Sequence, residues 1–129
     1  MSEDAARQGI AEALEAILEA SLKLDDVQSD PKPLMEIREP AMKAEGYSAQ
    51  LWRYLLGKWH VMLLKRNRLG VPMIVRELCT YNRERALEEM VALMLSPDPE
   101  AHCELLAMPW NCEGNGGRIR LDNKPEDKK

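Results

Sequence analysis

The apolar residues near the start of the chain are spaced like one face of an amphipathic helix. Ile10, Leu14, Leu18 and Leu22 recur every four residues, and glutamates occupy the positions between them. A helix with one buried stripe and one solvated side has this pattern. The sequence therefore predicts a first helix over residues 3–23.

The middle of the chain carries a wider apolar stripe. Leu51, Leu55 and Trp59 lie at helical spacing within residues 49–68, and neighbouring apolar side chains broaden the stripe. So broad a stripe predicts a long helix at the centre of a bundle, packed against at least two neighbours. Gly57 inside that helix would cost about 1 kcal/mol relative to Ala.

Prolines and capping residues divide the rest of the chain into short segments. Asn82 and Asp98 each precede a helical pattern and are the residue types preferred at helix N-caps. Proline suits the first turn of a helix, because N–H groups there have no acceptor within the helix and the lack of one costs no hydrogen bond. After a polar linker over 25–33, these signals predict helices near 40–45, at 72–81, at 83–95 and at 99–107.

The last residues differ in character from the rest. A glycine-rich turn signal precedes Arg118 to Leu121, whose polar and apolar residues alternate as in a strand. The sequence predicts a flexible tail over 111–129 with a small hairpin. The expected fold is all-α: one helical domain over 1–110, forming a compact bundle of four to five helices, with a short irregular or hairpin-like C-terminal tail.

Composition bears on the cellular setting. The chain has 129 residues, the size of one domain. It begins with acidic residues, without a basic segment followed by an apolar one, and has no apolar run of the length that spans a bilayer. Its three cysteines follow no disulfide spacing. We expect a cytoplasmic protein that has no membrane partner.

Charge is distributed unevenly along the chain. Residues 1–50 carry five Lys or Arg and eleven Asp or Glu, residues 51–86 carry eight and two, and residues 87–129 carry five and nine. A basic segment between acidic ones indicates either an anionic partner or acidic neighbours within the fold.

The sequence offers little chemistry. His102 and Cys103 are adjacent, so on a helix their side chains would point about 100° apart and would not meet. There is no paired ligand spacing for a metal, no nucleophile motif and no phosphate-binding loop. We therefore expect no enzymatic activity, no catalytic residues, no metal and no cofactor.

The function that the sequence favours is protein–protein interaction through a helical surface, as in an adaptor, accessory or inhibitor protein, for example one from a mobile element. The partner would be another protein or a second copy of the chain. Trp52, Tyr54, Trp59 and Trp110 are of the residue types enriched at interface hot spots and are the candidate partner-binding residues. The competing interpretation is that the tryptophans anchor the core.

A small nucleic-acid-binding regulator is the alternative function. The predicted helices at 72–81 and 83–95 outline a helix-turn-helix over 72–95, next to the basic region 65–85. The glutamates of the second helix and the acidic pI of about 5.3 argue against it. The residues expected to contact nucleic acid or an acidic partner are Lys65, Arg66, Arg68, Arg76, Asn82, Arg83 and Arg85.

Overall fold

The computed structural model describes residues 3–25, 32–54, 57–107, 112–113 and 118–122. It is an α/β fold rather than a helical bundle. In chain order its elements are α1 (Glu3–Asp25), β1 (Met35–Ile37), β2 (Tyr47–Arg53), β3 (Trp59–Arg66), β4 (Pro72–Thr80), α2 (Arg83–Leu95), α3 (Pro99–Leu106), β5 (Cys112–Glu113) and β6 (Arg118–Arg120).

The described strands form one mixed sheet in the order β1-β2-β3-β4-β6-β5. Strands β1 to β4 are antiparallel neighbours, and β6 then lies parallel to β4. A parallel return requires a long crossover, which α2 and α3 provide. Strand β5 completes the sheet as the antiparallel neighbour of β6.

The predicted all-α fold is wrong because the middle of the chain is a hairpin of strands. Within the segment 49–68, residues 49–53 belong to β2 and residues 59–66 to β3. Every side chain from Trp59 to Leu64 is buried, and all of them except His60 are apolar. A continuous apolar run fits a helical stripe as readily as a strand buried on both faces. Gly57 has φ of 75° and lies in the turn between these strands, where the Tyr54 N–H donates to the Lys58 carbonyl at 2.7 Å.

Two further predicted helices are also wrong. Residues 72–80 form β4, which is interrupted opposite Leu63 and Leu64 by a β-bulge at Val75. The apolar spacing there suited a helix because a bulge breaks the two-residue alternation of a strand. Residues 40–45 form turns, in which the N–H groups of Ala41 and Met42 both donate to the Arg38 carbonyl.

The other three helices coincide with their predicted positions. Helix α1 extends two residues past the predicted end. Asn82 caps α2 by accepting from the Arg85 N–H at 3.0 Å, and Asp98 caps α3 by accepting from the Ala101 N–H at 3.2 Å. Helices α2 and α3 begin at residues whose side chains act locally, so a short stretch of sequence suffices to place their starts.

The core lies between the sheet and the helices. Leu18 of α1 and Met90 of α2 are fully buried against strand residues such as Leu51. Ile119 of β6 and Leu121 just after it join the same cluster. Part of the predicted tail is therefore built into the sheet and its core. Asp122 follows and accepts from the Thr80 hydroxyl at 2.5 Å and from the Tyr81 N–H at 2.7 Å. The other tail residues lie outside the described ranges.

Candidate functional site: the helix-free face and the β3–β4 hairpin

The sheet has one face without a described helix. Side chains alternate between the two faces of a strand. Leu51, Val61, Leu63, Leu78 and Ile119 belong to the cluster that includes the helices, so the residues between them point the other way. We call this second surface the helix-free face. Strand register arranges it in two rows, Trp52–His60–Cys79–Arg120 and Gln50–Met62–Glu77–Arg118.

A buried histidine lies in the first row. His60 is 2% exposed, and its Nδ1 forms a hydrogen bond with a carboxylate oxygen of Glu77. That hydrogen bond is the main cause that lowers the pKa of Glu77, with a further contribution from Arg118, although burial opposes it. Glu77 is therefore an ionised carboxylate, which only accepts hydrogen bonds, so Nδ1 of His60 carries a proton.

The other imidazole nitrogen has no hydrogen-bond partner among the described residues. Nε2 of His60 is buried. A buried polar atom that is left unpaired costs about 1–3 kcal/mol. Such an atom is therefore a candidate contact for something outside the described chain.

Aromatic rings lie over this histidine. The Tyr54 ring centroid is 4.1 Å from that of His60, and Trp52 meets Tyr54 edge-on at 6.3 Å. Tyr54 is 42% exposed, so its ring forms the outer layer above the buried imidazole. Burial raises the pKa of Tyr54, and the charge on Glu77 raises it further. The phenol is neutral at physiological pH.

The hairpin between β3 and β4 carries a second surface. Asn67 organises the turn because its side-chain oxygen accepts from the N–H groups of Leu69 at 2.9 Å and Val71 at 3.0 Å. Gly70 has φ of 80°, a conformation that favours glycine. Four large apolar side chains are exposed around this turn, and we call them the hairpin surface: Leu69 at 86%, Val71 at 47%, Met73 at 51% and Ile74 at 56%.

The backbone edge beside this surface is protected. Strand β6 pairs only with residues 77–79 of β4, so the earlier part of β4 has no described strand on that side. The bulge at Val75 disturbs this part, and Arg76 donates to the Val75 carbonyl at 2.7 Å. Bulges and cations at a strand edge discourage the addition of another strand. The hairpin is thus suited to contacts through its side chains.

The sequence-predicted aromatic residues occupy different places. Trp52 and Tyr54 come together on the helix-free face. Trp59 is 7% exposed and belongs to the core cluster. It therefore anchors the core, as the competing interpretation of the tryptophans predicts. Trp110 lies outside the described residues. The sequence alone did not predict the contact between His60 and Glu77, nor the hairpin surface.

Most of the predicted basic residues are engaged within the fold. Arg83 pairs with Glu15 at 3.4 Å and with Glu19 of α1, which brings the acidic N-terminal helix against the basic segment. The remaining ion pairs are Lys65–Glu100 at 3.7 Å, Arg66–Glu39 at 2.7 Å, Arg76–Glu104, and Arg85 with Glu88 at 3.5 Å and Glu89 at 3.1 Å. Asn82 is a helix cap, and Arg68 is exposed at the hairpin turn.

The predicted helix-turn-helix is absent, because its first helix is the strand β4. The pair His102 and Cys103 does not form a nucleophilic site in the described structure. His102 contacts Glu89 at 2.9 Å, and burial raises the pKa of the Cys103 thiol to about 12, which keeps it protonated.

The fold and these surfaces define a helix-backed mixed-sheet protein with a polar and aromatic sheet face. No family model, no curated protein and no solved structure matches the chain. None of the described helices combines the length and apolar character required to cross a membrane. Within the described residues there is no cluster of three metal-ligating side chains.

Proposed function

We propose that this protein is a non-enzymatic interaction module that binds another protein through the hairpin surface. The observation that supports the proposal is the exposure of Leu69, Val71, Met73 and Ile74 around one turn. Several exposed apolar side chains close to one another are typical of a binding site. Met73 and Ile74 follow each other in β4 and point to opposite faces, so this surface includes both sides of the hairpin end. The contact surface is therefore a β-hairpin, in place of the helical surface that the sequence indicated.

The surroundings of the hairpin favour an acidic partner. Residues 59–76 contain no acidic residue. Lys65, Arg66 and Arg76 pair with glutamates elsewhere in the fold, so the cation offered to a partner is Arg68. Arg68 is exposed at the turn itself, next to Leu69. Apolar contacts would supply the affinity, and this cation would speed the encounter with a negatively charged surface. The cysteine usage supports a cytoplasmic location for this binding.

The test is capture of a partner with a matched pair of variants. The tagged protein, the double variant Leu69→Ser with Ile74→Ser, and the control Leu105→Ser are incubated with nuclease-treated lysate. Leu105 is 74% exposed on α3 and is not part of the hairpin surface, so its change tests whether the loss of an exposed apolar side chain elsewhere has the same effect. We expect one protein to be recovered with the parent and with Leu105→Ser, and lost with the double variant. Equal recovery with all three would overturn the assignment to the hairpin.

Nucleic-acid binding remains the second proposal, carried by the exposed Arg68 at the hairpin turn. The ion pairs of Arg83, Arg85 and Arg76 weigh against it, because these cations already have carboxylate partners. Binding through phosphates would fall steeply as salt is raised and would be weakened by Arg68→Glu. A filter-binding assay at two salt concentrations distinguishes the two proposals.

A further inference from the structure

We propose that His60, Cys79 and Met62 form a binding site for copper(I), a monovalent metal ion that prefers sulfur ligands, on the helix-free face. The starting observation is that Nε2 of the buried His60 has no hydrogen-bond partner in the described part of the chain. In a neutral imidazole one nitrogen donates a hydrogen bond and the other carries a lone pair. Because Nδ1 donates to Glu77, the lone pair lies on Nε2, where a metal ion can bind it.

Glu77 holds this imidazole in the way that metal-binding histidines are held. Such a histidine almost always donates its other ring N–H to a carboxylate, a backbone carbonyl or water, which fixes the ring and makes the ligating nitrogen more basic. Nδ1 of His60 makes this hydrogen bond with Glu77, whose carboxylate also contacts Arg118 at 3.5 Å. The buried Nε2 is therefore oriented to act as a ligand.

Strand register brings two sulfur-containing side chains next to this histidine. Cys79 of β4 pairs directly with His60 of β3, and Met62 pairs with Glu77, so Met62 lies diagonally across from Cys79. Directly paired residues have Cβ atoms about 4.5–5.5 Å apart, and diagonal neighbours at about 7–8 Å are within reach of long side chains. The three residues come from two strands, so they show no ligand spacing in the sequence, which predicted no metal.

The donor atoms select the metal ion. Histidine, cysteine and carboxylate side chains form no cluster of three in the described part of the chain, so the third donor is the thioether of Met62. Thiolate and thioether are soft ligands that favour copper(I), whereas structural zinc sites are almost always held by four protein ligands. Binding breaks the S–H bond of Cys79 and forms a sulfur–copper bond, and the proton leaves to solvent. The copper stays in the +1 state.

Charge on this face does not favour one sign over the other. Strand register places five charged residues in the two rows: Glu36, Glu77, Glu113, Arg118 and Arg120. Together with Arg38, which pairs with Glu36 at 2.8 Å, these are three acidic and three basic residues, and both arginines of β6 have interactions within the fold. A copper(I) ion with one thiolate adds no net charge, so it leaves this balance unchanged.

The three ligands are shielded from water. His60 and Cys79 are each 2% exposed and Met62 is 7% exposed, yet neither Met62 nor Cys79 belongs to the core cluster that includes the helices. A shell that excludes solvent controls the redox behaviour of a bound metal. The Tyr54 ring above the imidazole is 42% exposed, so rotation of this one side chain gives the ion a way in.

The experiment is an anaerobic titration of the whole reduced protein with copper(I), followed by NMR of the histidine side-chain nitrogens and the methionine methyl groups. His102, whose Nε2 is already 2.9 Å from Glu89, and the half-exposed Met73 of the hairpin are internal controls. We expect the signals of His60 Nε2 and of the Met62 methyl group to shift together until one equivalent is bound, while those of His102 and Met73 stay in place. Silver(I), a redox-inert ion of the same charge and ligand preference, should give the same shifts, and zinc should not.

Competition with a copper(I) chelator measures the affinity of matched variants. Cys79→Ser should lose the site, whereas Cys103→Ser, which removes the buried thiol of α3, should bind like the parent. Met62→Leu keeps the side-chain volume and should weaken binding without abolishing it. Glu77→Gln should weaken binding by about 10–100-fold, as for other residues that orient a ligating histidine.

The proposal would be overturned by shifts that His102 shares with His60, by equal affinity for zinc, by unchanged affinity in Cys79→Ser, or by the absence of saturation in the parent. Because the shifts are measured in the parent, they test the site even where a variant fails to fold. The inference does not rest on the hairpin surface: the capture experiment tests Leu69 and Ile74, while this titration tests His60 and its two sulfur neighbours.

Discussion

At the scale of single residues, one nitrogen of His60 forms a stabilising hydrogen bond with Glu77, while the other nitrogen has no hydrogen-bond partner among the described residues. The hydrogen bond between them involves an ionised carboxylate and a nearly solvent-free imidazole, and it is therefore stronger than a surface contact. Residues with this combination are commonly found at functional sites, where stability is exchanged for binding.

The pH dependence of stability should reveal the charge on Glu77. Its pKa is lowered in the folded protein by the hydrogen bond from His60. A carboxylate with a lowered pKa contributes its full stabilisation of the folded state when the pH is above the ordinary pKa of 4.5. This contribution is lost as the pH falls through the lowered pKa. We expect Glu77→Gln to reduce the free energy of unfolding by about 2 kcal/mol near pH 7.

Urea unfolding at a series of pH values measures this difference. The gap between the parent and Glu77→Gln should shrink as the pH falls from about 5 towards the lowered pKa of Glu77. Glu88→Gln is the matched control, because Glu88 is 69% exposed and its pairing with Arg85 contributes within about 1 kcal/mol. A gap that does not shrink below pH 5 would contradict the charge assigned to Glu77.

At the scale of elements, the sequence placed the helices whose ends are marked by local chemistry. Asn82 and Asp98 act within three residues of their own position, so their capping roles follow from sequence alone. The strands β3 and β4 were predicted as helices because burial on both faces of β3, and a bulge in β4, removed the alternation by which strands are recognised. Burial does alternate in β2, but its Leu51 lies at helical spacing from Leu55 and Trp59, which favoured a helix there. One local signal was available: Asn67 and Gly70 stand between two apolar runs, as in a hairpin.

Gly57 distinguishes the two interpretations of the middle segment. In the predicted helix, Gly57→Ala would stabilise the protein, whereas at the observed φ of 75° it should destabilise it by about 1–2 kcal/mol, the cost of a left-handed conformation for a residue with a Cβ. Gly9→Ala, inside α1 with no atom within 4 Å of an added Cβ, should instead stabilise by about 0.5–1 kcal/mol. Equilibrium unfolding of both variants distinguishes the strand hairpin from the predicted helix over 49–68. Stabilisation by both substitutions would favour that predicted helix.

The cap of α2 provides a second test at this scale. Asn82→Ala removes the acceptor for the Arg85 N–H and should lower stability by about 1 kcal/mol. Asn82→Asp keeps an oxygen at the same position and should retain most of that stability. Thermal unfolding of the two variants gives the comparison. Equal losses in both would mean that the role of Asn82 is something other than capping.

At the scale of the whole molecule, the fold depends on pairings between distant parts of the sequence. Strand β6 lies against β4, and Arg83 of α2 lies against Glu19 of α1. The sequence showed the excess of positive charge in the middle segment, but which acidic residues would neutralise it followed only from the fold. The candidate site has the same origin, because strand register brings Trp52, His60 and Glu77 onto one face.

Ile119 shows how far the final segment contributes to the whole. It pairs in register with Leu78 and is 2% exposed, in a stretch that the sequence assigned to a flexible tail. Ile119→Ala should lower the free energy of unfolding by about 2–5 kcal/mol, as for other large-to-small changes in a core. Ile74→Ala removes the same atoms from a side chain that is 56% exposed and should change it by less than about 0.5 kcal/mol. Urea unfolding of the two variants measures this contrast. Equal and small effects would mean that β6 is not part of the folded core, because a strand detached from the sheet leaves Ile119 in water before and after unfolding.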